Sequence, residues 1–137
     1  MELALRRNDQ SFEYSCHHPV KPLQHAQLSV RRYGGVYMDY APIHEFLDMT
    51  KAAHPDMRHR ALLHNTMGPF IAVQVFGAYL TNSDGTTFDV RQVCEDHIIE
   101  DLGRLPTVSD FLNLIPESEI DKFAYKKGRK LVPRLDD

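Results

Sequence analysis

Apolar residues along the 137-residue chain recur mostly at the three- and four-residue spacing of helices, broken once by a β-prone stretch. In "PLQHAQLSVRRYGG", Leu23, Ala26, Val30 and Tyr33 share one face; Pro22 suits a first turn and Gly34 can end the helix. "DYAPIHEFLDMTKAAHP" predicts a second helix, with Asp39 as N-cap, Pro42 in the first turn and Pro55 as the stop. Its buried stripe is Ile43, Phe46, Leu47 and Thr50. A third helix starts near Asp56, runs through "MRHRALLHNTM" and meets Gly68-Pro69. "FIAVQVFGAYL" then continues it with a kink or begins a new helix. It is apolar nearly all round, which predicts a central, buried element.

"YLTNSDGTTFDV" breaks the helical pattern, and Asp84-Gly85 between β-prone residues signals a hairpin. Asp89 then caps a helix through "VRQVCEDHIIEDL", ended by Gly103 and Pro106. Thr107 opens a short helix with Asp110 in a capping-box position, and "ESEIDKFAY" predicts another. The expected fold class is mostly α: a compact helical bundle of about five helices with one small β-hairpin near residues 79–89. A single helical domain, residues 22–125, lies between a polar N-terminal arm, residues 1–21, and a basic tail, residues 126–137.

Placed on a helical wheel, residues 90–102 change the picture. Val90, Val93, Cys94 and Ile98 define the apolar face, yet His97 and Asp101 fall in its middle, one turn apart. Glu95, Asp96 and Glu100 lie to the sides. A buried carboxylate needs a hydrogen bond, a cation or a metal, because desolvating it alone costs several kcal/mol. Partners are available. On the third helix His59, flanked by Arg58 and Arg60, projects between Leu62 and Leu63 toward the expected core, and His64 projects between Met57 and Ile71 on another side. His44, Asp48 and Lys51 form an i, i+4, i+7 stripe at the edge of the second helix's apolar face, and His25 borders the face of the first.

Composition narrows the chemistry. A net charge of −3 with interspersed signs gives no basis for a nucleic-acid or membrane partner. No run approaches the ~20 apolar residues of a spanning helix, and a cytoplasmic location is expected. Cys16 and Cys94 make no disulfide framework; Cys94 reads as a buried thiol. Eight histidines are many for this length. There is no HExxH, no paired CxxC, no glycine-rich phosphate loop and no GxSxG elbow.

Two resemblances arise. "SVRRYGG", "DMRHRALLH", "NSDG" and "EDHIIEDLGRLPT", spread over residues 17–112, resemble a small family of bacterial and phage genomes with an uncharacterised-domain label. That resemblance implies a bacterial or phage origin and a coherent polar site. "RALLHN" is similar to the helix bearing the HD pair of metal-dependent HD-type phosphohydrolases. In that likeness His44 is the earlier histidine and Asp101 the distant acid, while Asn65 stands where that family has a metal-binding aspartate.

Histidine and carboxylate on facing helices fit a divalent transition metal, Zn, Mn or Fe. The reading is a helical metal-binding protein acting as a metal-dependent hydrolase of a phosphate-containing small molecule. His59, His64, His97 and Asp101 are the first metal ligands, then His44 and Asp48. Glu95 or Glu100 shuttles protons, and Lys51, Arg58 and Arg60 hold the anion. The alternative is a non-enzymatic phage or bacterial protein that sequesters an anionic nucleotide signal or blocks a host protein. A third reading has the polar cluster only fixing the fold. The apolar "FIAVQVFGAYL" also suggests a homodimer.

Overall fold

The computed structural model describes residues 21–120 and Lys122; the expected N-terminal arm, apart from Lys21, and the basic tail lie outside the described residues. Helix α1 spans Pro22–Tyr33 and ends at Gly34, whose φ of +81° turns the chain while its N–H bonds the Val30 carbonyl at 2.9 Å. A 3₁₀ turn, Tyr37–Asp39, leads into α2, Ala41–Asp48, which runs on into a second turn, Met49–Ala52. Asp39 is not the cap of α2: Tyr40 holds that position. The Asp39 carboxylate instead accepts from the backbone N–H of Val36 at 2.8 Å and of Ser83 at 3.0 Å, tying the α1–α2 turn to a distant loop.

The expected third helix divides. A 3₁₀ turn, Met57–His59, is followed by the short α3, Arg60–Leu63, and then by α4, Met67–Phe76. Asn65 makes the break. Its Nδ2 donates to the Ala61 carbonyl at 2.9 Å and its Oδ1 accepts the Met67 N–H at 2.8 Å, so one side chain closes α3 and opens α4. Gly68 completes the turn by packing against the Leu63 carbonyl, from which a Cβ at this position would be 1.8 Å away.

Helix α4 is only partly buried, contrary to its all-round apolar sequence. Gly68, Pro69 and Ala72 are its buried residues, while Phe70 is 60% and Val75 58% exposed. It packs chiefly on α5 and also on α2 through its smaller side chains. The hairpin forms where Asp84-Gly85 requires it: β1, Tyr79–Thr81, pairs antiparallel with β2, Thr87–Asp89, with Leu80 opposite Phe88. Asp89 caps α5, Val90–Leu102, which ends at Gly103 in the left-handed conformation. The Thr107/Asp110 capping box opens α6, Val108–Leu112, and α7, Glu117–Ile120, follows.

The apolar core joins Ala26, Ile43, Leu47, Ala72, Phe88, Val90, Val93 and Cys94 around the ring of Tyr40. The Cys94 thiol is buried and its pKa is pushed up to about 12, first by burial and then by nearby acids. Beside this core lies a polar one. His25, Ser29, His44, Asp48, His59, His64, His97 and Glu100 are all buried. His25 is therefore no border residue of α1 and Glu100 no flank charge of α5; Leu23, expected in the apolar face, is exposed. Among the described residues no helix is long and apolar enough to cross a membrane.

Gly68→Ala is expected to destabilise the fold by about 1–3 kcal/mol or more, because the added methyl meets backbone rather than a movable side chain. Urea unfolding checks this, with Gly85→Ala, which meets nothing within 4 Å, as the comparison for backbone strain alone.

Candidate metal centre

Three helices each carry a polar pair four residues apart, one turn above the other: His25 and Ser29 on α1, His44 and Asp48 on α2, His97 and Asp101 on α5. α2 packs on both α1 and α5, which turns the three pairs toward one another. His64 joins them from the C-cap of α3, where φ of −87° and ψ of 53° leave the helix just before the Asn65 turn.

Two donor sets result, each with its ligand atoms within 4.8 Å of one another: Asp48, His64, His97 and Asp101, and separately His25, His44 and His97. The first set converges on a point. His64 Nε2 lies 3.2 Å from His97 Nε2, 2.9 Å from Asp101 Oδ2 and 3.5 Å from Asp48 Oδ1. His97 Nε2 lies 3.3 Å from Asp48 Oδ1 and 3.4 Å from Asp101 Oδ2. Four ligands at the 2.0–2.1 Å of a tetrahedral zinc site stand about 3.3–3.4 Å apart. The five edges that include a histidine nitrogen bracket that value. All four side chains are buried, at 0%, 0%, 7% and 2% exposure for His64, His97, Asp48 and Asp101.

The second set is already committed to hydrogen bonds. His44 Nε2 is 2.8 Å from Ser29 Oγ and its Nδ1 is 2.9 Å from His97 Nδ1. His25 Nδ1 bonds Glu100, whose other oxygen accepts from Arg32. His25 Nε2 stands 3.2 Å from Asp101 Oδ1, and its ring stacks on His97 at 3.7 Å between centroids. These residues surround the four-ligand point and hold its members in place, as outer partners of metal ligands do.

The electrostatics follow from burial set against pairing. Burial alone would raise Asp101, yet hydrogen bonds from His25, His64 and His97 hold its carboxyl far below the ordinary range. Burial also opposes the ionised Asp48, but His97, Lys51 and His64 hold it low. Burial would lower His25, and the hydrogen bonds and charges of Asp101 and Glu100 overcome it, raising its pKa to about 9. Burial, then electrostatic opposition from the neighbouring His97 and His25, pushes His44 down to about 2. His64 is lowered mainly by burial, against the pull of Asp101.

The residues expected from sequence separate into those brought together and those not. Asp48, His64, His97 and Asp101 meet. His44 touches His97 but faces Ser29 with its other nitrogen. His59 is buried next to His64, with ring centroids 5.5 Å apart, and bonds Thr50 Oγ1 at 2.9 Å, outside both donor sets. Lys51 Nζ is 3.9 Å from Asp48 and an Arg60 nitrogen 3.7 Å from Asp101, so both stand at the rim. Arg58 is exposed and paired with Asp56 at 2.7 Å; Glu95 pairs with Arg91 at 2.8 Å. Neither reaches the cluster. Glu100 does, through His25 and Arg32. Ser29, His25 and Arg32 were legible as a stripe at i, i+4 and i+7 on α1 matching the pairs on α2 and α5; reading α1 from its apolar residues alone hid it.

A family model described as Domain of unknown function (DUF6915) matches residues 20–120, which take in every helix from α1 to α7. The chain belongs to the DUF6915 family. No curated protein and no solved structure matches the chain. The DUF6915 match takes in every residue of the four-ligand set and of the hydrogen-bonded layer around it. Asn65, which the HD-type likeness sets in a ligand position, has its side chain spent on the α3–α4 turn, and the neighbouring His64 enters the cluster instead.

The opposed pKa shifts set a window of stability. His25, raised to about 9, contributes stability that is complete below its unfolded value of 6.5 and is lost as pH rises through about 9. His44 and His64, both lowered, contribute stability present above 6.5; for His44 it is lost progressively as pH falls toward about 2. Chemical-denaturation midpoints of the metal-free protein are therefore expected to peak near pH 6.5, to fall at lower pH as His44 is forced to charge, and to fall at higher pH until the His25 contribution is gone at about 9.

Proposed function

We propose that the domain binds one divalent transition metal ion through Asp48 Oδ1, His64 Nε2, His97 Nε2 and Asp101 Oδ2. The observation that carries this reading is the spacing of the four atoms: every pair that includes a histidine nitrogen stands 2.9 to 3.5 Å apart, and all four lie within 4.8 Å of one another. Protons offer a competing account, with each Nε2–H donating to one carboxylate. Two protons satisfy only two edges of the figure, whereas a central cation satisfies all four donors at once. Two imidazole nitrogens and two carboxylate oxygens suit Zn, Mn or Fe(II), as expected for that donor chemistry.

Four buried protein ligands make a closed set, the pattern of ions that hold a fold together. We assign the ion that role: it ties α2 and α5 to the short α3, a segment of four residues that cannot persist as a helix alone. One observation favours a second reading, hydrolysis or capture of a phosphate-bearing small molecule. Lys51 and Arg60 stand at the rim within 4 Å of the two carboxylates, where they could contact an anion.

Protein prepared without a His tag is expected to carry close to one metal ion per chain by elemental analysis. Added Zn, Mn or Fe(II) should raise the melting temperature of stripped protein by about 10 °C or more. His64→Ala and His97→Ala should abolish that shift, while Arg58→Ala and Glu95→Gln, on surface pairs, should keep it. A stripped protein indifferent to all three ions sinks the proposal. The loaded protein, offered a nucleotide panel, should return it unchanged and unbound; phosphate release supports hydrolysis, and tight retention of intact nucleotide supports capture.

A further inference from the structure

We propose that Ser29 and His44 form a hydrogen-bond relay that decides which nitrogen of His97 carries its proton, and that this relay sets how tightly the four-ligand point holds its ion. The proposal rests on the metal-binding reading above and deepens it.

The geometry is a chain of three links. Ser29 Oγ is within reach of two acceptors, the His25 carbonyl at 3.1 Å and His44 Nε2 at 2.8 Å. His44 Nδ1 faces His97 Nδ1 at 2.9 Å, nitrogen to nitrogen, so one proton sits between them. His97 Nε2 then points at the four-ligand point. A neutral imidazole carries one N–H, so the links are not independent. In one arrangement the Ser29 hydroxyl donates to the His25 carbonyl, His44 Nε2–H donates to Ser29 Oγ, and His97 Nδ1–H donates to His44 Nδ1. His97 Nε2 is left with a bare lone pair, as a metal requires. In the other, Ser29 donates to His44 Nε2, His44 Nδ1–H donates to His97 Nδ1, and His97 Nε2–H donates to Asp48 or Asp101. That arrangement blocks the ion.

The two arrangements hold the same number of protons: one on Ser29, one on His44 and one on His97. Loading the ion exchanges one for the other: as the site opens to admit the ion, the His97 Nε2 proton passes to water and water returns one proton to Ser29, so the chain's proton count is unchanged. Ser29 is the hinge of the exchange because its hydroxyl has a partner either way. All three side chains are buried, so water cannot replace a missing link freely. Ser29 and His44 are thus positioning residues that act through His97 and need not touch the ion.

Four proteins test this: wild type, Ser29→Ala, His44→Leu and His44→Asn. Asn keeps an acceptor oxygen near the place of Nδ1, whereas Leu removes it. Zn affinity is measured by competition with a chelator, and the ring nitrogens of His97 are followed by ¹⁵N NMR. Loss of an outer partner typically weakens a metal site about 10–100-fold, and that loss is expected for Ser29→Ala and His44→Leu. His44→Asn should recover most of the affinity. In wild type His97 should be protonated at Nε2 without metal and at Nδ1 with Zn. Ser29→Ala binding Zn as wild type does, His44→Asn as weak as His44→Leu, or one His97 tautomer in both states would each overturn the relay. If His44→Leu fails to fold, Ser29→Ala and the NMR tautomers decide alone. Wild type that binds no Zn removes the metal reading itself, a result separate from failure of the relay.

Discussion

Two imidazoles and two carboxylates meeting at one buried point is the constraint to which the rest of this structure answers. Burying the carboxylates of Asp48 and Asp101 costs several kcal/mol each unless positive charge or hydrogen bonds replace water. Lys51, Arg60 and the protonated His25 supply part of that compensation at the edges. None of them lies between the two Nε2 atoms, where the donors face one another. The cation proposed for that point would complete the balance. It would also account for two histidines, each able to bond one acid, being placed against both.

Several local features make sense as ways to hold this point still. The Asn65 turn and Gly68 stop α3 after one turn, so that His64 leaves the helix where it can reach α5. The Asp39 carboxylate and the Asn82 side chain tie the α1–α2 turn to the hairpin, which fixes the start of α5 through Asp89. Glu100 clamps His25 and Arg32 of α1 against α5. The apolar core at Tyr40, Phe88 and Val93 lets these elements pack without water, and the same dryness strengthens every charge interaction in the polar half.

The sequence made much of this legible, because helix ends and apolar spacing are local signals. The caps at Asp89 and Thr107, the stop at Gly103 and the turn at Asp84-Gly85 all reside in a few neighbouring residues. His97 and Asp101 could be singled out because they interrupt an apolar face. Three things were hidden. The break at Asn65 depends on a side chain choosing the turn over the helix, which spacing does not show. The exposure of Phe70 and Val75 depends on how much neighbouring chain is available to cover α4. The burial of His25 and Glu100 depends on a polar partner across the interface, so each read as a surface residue until α1 and α5 were set side by side. For the same reason Arg58, beside His59, and Glu95, two residues before His97, pair with the local partners Asp56 and Arg91 instead of reaching the cluster.

The measurement that tests the central claim most directly is zinc K-edge X-ray absorption on protein loaded with one equivalent of Zn. A closed site made of these four residues predicts a single shell of four nitrogen and oxygen neighbours at about 2.0–2.1 Å, with the outer scattering of two imidazole rings. That scattering should fall to one ring in His64→Ala. A six-neighbour shell at longer distance without imidazole scattering, or a spectrum unchanged by His64→Ala, would contradict it.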